Sequence, residues 1–278
     1  MKENLQPEAL RRSINAAIER SEMRKEKLLL QDRLRHVAKM ESLDIMAGSV
    51  AHHFNNQLMA VLGNLELLEE DIPKLSPLMN FVEEAKLAAL NASKLSTQML
   101  LYVGQGDLVR KVVNLEHTFK SVLSSHDNNK EVTITTDFAD DTPFIVGDPA
   151  QFHQLVENIL ANAYEAIPED GTVSIQSGMI DADEIELDQH YITDKPDDCL
   201  FTWFEISDTG VGMDNEALLR IFDPFFTTKF IGRGLGLSVA IGIIRKHKGL
   251  IDVSSTPGKG TSVRVYLPSA GCKAIQSS

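Results

Sequence analysis

The chain has 278 residues, 43% of them hydrophobic and 24% charged, which allows one or two domains with real cores and excludes disorder throughout. Forty acidic against 27 basic residues leave a formal net charge of -13, a poor match to direct nucleic-acid binding or to attraction by an anionic membrane. Cys199 and Cys272 lie far apart with no paired spacing, which argues against a disulfide framework or a cysteine zinc site and fits a reducing, cytoplasmic setting.

Residues 1–40 carry ten Lys and Arg against six Asp and Glu, mixed as on the solvated face of a helix. Leu10, Ile14, Ala17, Leu28, Leu34 and Val37 form an imperfect heptad, so this segment reads as a signalling helix or parallel coiled coil. Lys2 and Glu3 lead into it without the apolar core of a signal peptide. The most apolar run, Gly234 to Ile244, has only 11 residues, well short of the roughly 20 needed to span a bilayer.

Over residues 41–104 the apolar recurrence Leu43, Ala47, Val50, Phe54, Leu58, Val61, Leu65, Leu68 and Ile72 predicts a helix. Pro73 and Pro77 break it, and a second series follows with Leu78, Val82, Ala85, Ala92, Leu95, Met99 and Tyr102. Two helices cannot enclose their own apolar stripes, so the expectation is a homodimer whose two hairpins make a four-helix bundle. Gly104 to Gly106 reads as a linker.

Residues 107–270 then alternate in the manner of strands mixed with helices. Strands are predicted over Glu131–Asp137, Thr172–Ile180, Leu200–Ser207, Leu250–Ser254 and Thr261–Leu267, and helices over Pro149–Ile167 and Leu235–His247. An α+β sandwich follows, with helices on one face of a mixed sheet. Asp181 to Asp198 is an acidic surface excursion, and 271–278 is a tail.

Three glycine clusters fall in this half: DTGVGM at 208–213, GRGLGLS at 232–238 and GKGT at 258–261. Glycine lets backbone N–H groups approach a polyphosphate, and the second cluster opens a helix, whose N-terminus favours anions. Ahead of them, ENILANAYEA at 157–166 puts Asn158 and Asn162 one turn apart on a helix face. An amide oxygen there suits an octahedral Mg2+ shell built mainly from water and phosphate oxygens. Between the first two clusters, FDPFFTTK at 222–229 has the makeup of a lid, anchored by aromatics and ending in Lys229 for a phosphate.

In this order the boxes resemble those of the sensor histidine kinases of two-component signalling: N at 157–166, G1 at 208–213, F at 222–229, G2 at 232–238 and a G3-like turn at 258–261. The resemblance implies a Bergerat-type pocket for ATP. Asp208 would hydrogen-bond the adenine amino group, Gly210 and Gly212 would line the adenine side, and Asn162 would ligate Mg2+ with Asn158 assisting. It also assigns to the nucleotide Phe222, Thr228 and Lys229 of the F box, Gly232, Arg233, Gly234, Leu235, Gly236 and Leu237 of G2, and Thr261.

The segment LDIMAGSVAHHFNNQLMAVLGNLELL at 43–68 is similar to the family's H box. A neutral imidazole is abundant at pH 7 and nucleophilic, which suits phosphoryl acceptance. At about 100° per residue, His52 points almost opposite the apolar stripe and His53 lies at its flank, so His52 is the reachable acceptor. Asn56, one turn after His52, matches the position where similar kinases orient a hydrolytic water against a regulator's phosphoaspartate.

Two departures from the family pattern matter. His53 stands where an Asp or Glu usually follows the acceptor, so no carboxylate is there to stabilise a developing imidazolium. Tyr164 and Glu165 stand where many relatives carry a basic residue, which shifts phosphate contacts toward Lys229 and Arg233. The leading reading is an ATP-dependent histidine kinase that phosphorylates His52 and passes the group to an aspartate on a receiver domain in trans. A water-activating ATPase of the same superfamily is disfavoured, since it needs a glutamate where Asn158 stands. An autokinase-impaired dimeric scaffold or phosphatase is the alternative that His53 keeps open.

Overall fold

The computed structural model describes residues 53–74, 76–103, 108–125, 132–139, 144–185, 199–228 and 234–270, with Arg20 and Met23. The signalling helix expected over 1–40, the linker at 104–106 and the tail lie outside those residues, apart from Arg20 and Met23. The chain divides into two compact units, Met1–Val50 and Ala51–Ser278, so the hairpin and the sandwich share one unit. Among the described residues no helix is long and apolar enough to cross a membrane.

Helix α1 covers residues 53–71 and α2 covers Pro77–Val103. Pro77 opens α2, where the missing N–H removes no intrahelical bond. Ser76 holds that start, accepting from Leu78 N–H through its Oγ at 3.3 Å and from Met79 N–H through its carbonyl at 3.0 Å. Lys86 reaches the Glu69 carboxylate at 2.7 Å, which turns that face of α2 toward α1. The same face buries Met79, Val82 and Ala89, and α1 half-buries Leu58, Leu62 and Leu65.

A second seam stays exposed. Phe54, Val61 and Leu68 recur every seven residues on α1, and Leu78, Phe81, Ala85, Ala88, Ala92 and Leu95 alternate steps of three and four on α2. Phe81 is 67% exposed. The predicted second series therefore mixes two faces: Val82 and Tyr102 point inward, whereas Leu78, Ala85, Ala92 and Leu95 belong to the outward seam. Adjacent stripes on one helix read in sequence as a single broad one.

The sandwich is built on a five-stranded sheet of β2 (Val132–Phe138), β4 (Gly171–Asp181), β5 (Leu200–Asp208), β6 (Leu250–Thr256) and β7 (Gly260–Pro268). Their order is β2-β4-β5-β7-β6, with only β2 and β4 parallel. Along β5, Thr202, Phe204 and Ile206 face one side, and the register Phe204↔Val265 and Ile206↔Val263 carries that side into β7. Helices α3 (Leu115–Ser125), α4 (Pro149–Ala166) and α6 (Gly236–Lys246) cover it, with the Phe119 ring of α3 edge-on to Phe204 at 5.3 Å, and the one-turn α5 (Asn215–Leu218) follows β5. On the opposite side, Phe201, Leu250 and Tyr266 pack under the turn at Ala182–Glu184.

The small second sheet and helix α3 were not predicted. Strands β1 (Lys111–Val113) and β3 (Ile145–Gly147) pair in a separate two-stranded sheet, each too short to display alternation. Helix α3 buries Leu115, Phe119 and Val122 at helical spacing behind Asn114, whose side chain accepts from His117 N–H at 3.1 Å. Cys199 is buried and disulfide-bonded, against the reading of both cysteines as unpaired.

Buried His247 sets α4 against α6. Its Nδ1–H donates to the Ile243 carbonyl at 2.8 Å, and its Nε2 accepts from Asp148 N–H at 3.2 Å. Asp148 is the N-cap of α4, its carboxylate accepting from Ala150 N–H at 2.9 Å. Helix α2 lands further along α6: a Cβ on Gly242 would stand 2.2 Å from the Leu101 carbonyl oxygen. Tyr102, 2% exposed, sits at this junction. Burial and the nearby Asp223 carboxylate push its phenol up to about 12.

Candidate functional site

One cavity of about 910 Å³ opens between α4, α6, the ends of β5 and β7, and α2. Asn158 and Asn162 face it from α4, one turn apart as their spacing predicts. Opposite them, a Cβ on Gly236 would come within 3.4 Å of Asn162 Nδ2 and 3.9 Å of Asn158 Cβ. The pair of amides therefore faces the first residue of α6. That helix starts without a side-chain cap, since Leu235 occupies the N-cap position. Its leading N–H groups, with the helix dipole behind them, favour an anion. The Nδ2 of Asn158 is buried with no hydrogen-bond partner. An orphaned buried donor is costly unless a ligand supplies its acceptor.

The adenine end of the predicted site is also assembled. Asp208 ends β5 beside Thr261, and its Oδ1 accepts from Gly210 N–H at 2.8 Å and from Thr261 N–H at 3.3 Å. Those two bonds fix the carboxylate plane. Ile159, Ala163, Ile206, Met213, Ile221 and Val263 make an apolar lining around it, a surface of the kind on which an aromatic ligand packs. Ile206, Ile221 and Val263 were not singled out in the sequence, because each is an ordinary core residue by pattern.

The glycines divide by role. Gly212 lines the cavity with φ of 65° and has no room for a Cβ, which would fall 2.1 Å from the Thr256 carbonyl oxygen. Gly210 lies outside the cavity wall, packed so that a Cβ would meet the Ala166 carbonyl oxygen at 2.5 Å. Its service to the site is to let the G1 turn close against the end of α4, where Val211 N–H donates to that carbonyl at 3.0 Å. Gly234 lines the cavity and accepts from Phe225 N–H at 2.8 Å, which ties the F box to the start of α6.

Phe222 does not line the cavity; it is 1% exposed, and its place is the core beneath the turn. Phe226 lines the wall instead, with the Arg220 guanidinium 4.5 Å over its ring. Thr228, Leu235, Leu237 and Thr261 line the cavity as predicted positions. Lys229, Gly232 and Arg233 lie outside the described residues, as does His52. His53 and Asn56 are exposed on α1. The sequence reading missed α2 altogether as a wall: Asn91, Lys94, Leu95 and Gln98 complete the cavity from the hairpin.

Residues 147–271 match the family described as histidine kinase-, DNA gyrase B-, and HSP90-like ATPase. Sensor kinase CckA of Brucella abortus (strain 2308) is 32% identical over 261 residues, covering 92% of this chain and 27% of CckA. Sporulation kinase A of Bacillus subtilis (strain 168) is 32% identical over 83% of this chain and 36% of its own length. Sensor histidine kinase ZraS of Escherichia coli (strain K12) is 28% identical over 86% of this chain and 48% of its own. The chain thus spans between about a quarter and a half of these relatives. In fold it is similar to full-length ShkA, solved in complex with AMPPNP, at a TM-score of 0.63 with 23% identity, covering 82% of this chain and 46% of that one. The chain is similar to sensor histidine kinases over most of its length, and its α+β sandwich matches the histidine kinase-, DNA gyrase B-, and HSP90-like ATPase family.

Proposed function

We propose that the chain acts as an ATP-dependent protein histidine kinase, phosphorylating His52 and passing the group to an aspartate of a response regulator. One observation carries the reading: a single cavity joins the uncapped start of α6, the two amides of α4 and a carboxylate held in plane by backbone N–H groups. ATP bound there supplies the phosphoryl group, with Mg2+ as its counterion. Asp208 accepts from the adenine amino group. Asn162 offers a hard, neutral oxygen to the metal, and Asn158 donates to a phosphate oxygen. His52 attacks the terminal phosphorus through Nε2, the bond to the bridging oxygen breaks, and ADP leaves; His53 accepts a hydrogen bond from the Nδ1–H of His52 but brings no negative charge. Alignment and charge neutralisation do most of this work.

A homodimer is part of the proposal. The exposed seam of Phe54, Val61, Leu68, Leu78, Phe81 and Leu95 repeats with coiled-coil spacing, and a second copy of the hairpin covers it as a four-helix bundle. The regulator docks in trans, where Asn56 positions water against its phosphoaspartate.

His53 favours a second reading, a regulator phosphatase with weak autokinase activity, since an imidazole brings no negative charge to the transition state. Labelled-phosphate incorporation from ATP tests both. Wild type should form an acid-labile phosphoprotein, His52→Ala should not, and His53→Asp should label faster by about tenfold or more. Labelling that survives His52→Ala and vanishes in His53→Ala overturns the acceptor assignment. Absent labelling of wild type with rapid loss of phosphate from a phosphorylated regulator favours the phosphatase.

A further inference from the structure

Among the described lining residues of the cavity, carboxylates outnumber cations. Glu157, Glu165 and Asp208 contribute three carboxylates, and Lys94 is the one cation among the described lining residues. Lys94 comes from α2, not from the ATPase domain. Lys94, Leu95 and Gln98 follow Asn91 by three, four and seven residues, which puts them on one face of α2, and all four line the cavity. That face presents donors where the opposite wall presents the start of α6 and the amides of α4.

The placement is held by a contact with no slack. Two turns beyond Lys94, the backbone at Leu101 and Tyr102 rests on Gly242 so closely that a Cβ would not fit. From Leu95 to Tyr102 the helix rises about 10 Å, and from Gly236 to Gly242 about 9 Å. The two helices therefore meet at Gly242 and face one another again, across the cavity, at Lys94 and the start of α6. Among the described residues Lys94 makes no ion pair.

We infer that Lys94 is a phosphate-binding residue: the hairpin supplies a cation to the polyphosphate of the bound nucleotide, which is thereby held between the two halves of the chain. This rests on the nucleotide reading of the cavity. A long, flexible ammonium suits the role, since it follows a phosphate through small movements of α2 where a planar guanidinium demands one geometry.

Calorimetric titration of the full chain and of Lys94→Ala and Lys94→Arg, each with MgATP and with adenosine, is the test. Lys94 is exposed on α2, so alanine there preserves the helix, and a thermal melt verifies this. Lys94→Ala should weaken MgATP about five- to tenfold while adenosine changes less than about twofold, as befits one charge-assisted contact to phosphate. Lys94→Arg should recover most of the loss, and the gap between wild type and Lys94→Ala should narrow as salt is raised. Equal MgATP affinities for wild type and Lys94→Ala, or a parallel loss for adenosine, overturn the inference while leaving the nucleotide site intact. A wild-type chain that binds neither ligand overturns the nucleotide reading itself.

Discussion

Gly242 and Gly63 both lie inside helices, and alanine at the two positions should have opposite effects. Alanine is the better helix former by about 1 kcal/mol, so on propensity alone each substitution stabilises. Around Gly63 nothing lies within 4 Å of a new Cβ, so Gly63→Ala should gain about 0.5–1 kcal/mol. At Gly242 the Cβ would stand 2.2 Å from the Leu101 carbonyl oxygen and 2.7 Å from Tyr102 Cα. Ordinary contact begins near 3.4 Å, so α2 must retreat by about 1 Å, and backbone cannot do so by changing a rotamer. Overpacking of this kind costs about 1–3 kcal/mol, which offsets the propensity gain and leaves a net loss. The shift also uncovers Tyr102 and withdraws Lys94 from the cavity. Urea unfolding of the two variants beside wild type measures the energies, and limited proteolysis near residues 100–108 reports the loosened junction. A Gly242→Ala protein as stable as Gly63→Ala would refute the packing of α2 on α6.

Nucleotide titrations should separate the two ends of the cavity: Asp208→Ala should weaken ATP binding and relax preference over GTP, whereas Asn162→Ala should cripple phosphoryl transfer more than affinity. Unchanged titrations for Asp208→Ala would contradict its adenine role. Acid should loosen the α4–α6 junction through His247, whose pKa lies below its ordinary 6.5 because burial disfavours the imidazolium. Lys246 and Arg110 act in the same direction, while the Ile243 carbonyl and Asp148 oppose it. The unfolded chain binds the proton first, so stability is intact above about pH 6.5 and falls below it by up to about 1.4 kcal/mol per pH unit, until the folded pKa is reached. Urea midpoints of wild type and His247→Gln over a pH series check this, and parallel curves would show that another group is responsible.

What the sequence displayed and what it concealed follow from the range of the interactions involved. The strands β4 to β7 and helices α4 and α6 were legible because each carries its periodicity within a dozen residues, and the order of the glycine clusters tied them to a nucleotide site. Asn158 and Asn162 could be paired from helical spacing, whereas Asp208 was named only through the resemblance of its motif. Phe222 shows where that logic stops. An aromatic in a motif is equally suited to touching a ligand or to anchoring the loop that does, and its neighbours in sequence do not distinguish the two. Burial does, and here it is the anchor. Gly210 likewise sits in a phosphate-type cluster but answers to Ala166, more than forty residues earlier. The α2 wall was least legible of all. Its polar face at Asn91, Lys94 and Gln98 has the look of solvated helix surface, and only the contact between Gly242 and Leu101 turns it toward the cavity. That contact joins residues 141 positions apart, and no local pattern announces it. It has a consequence for signalling: a rotation or shift of α2 driven from the N-terminal side moves a wall of the nucleotide site directly. On the proposed nucleotide reading, such a movement would change the shape and charge of the cavity through Asn91, Lys94 and Gln98.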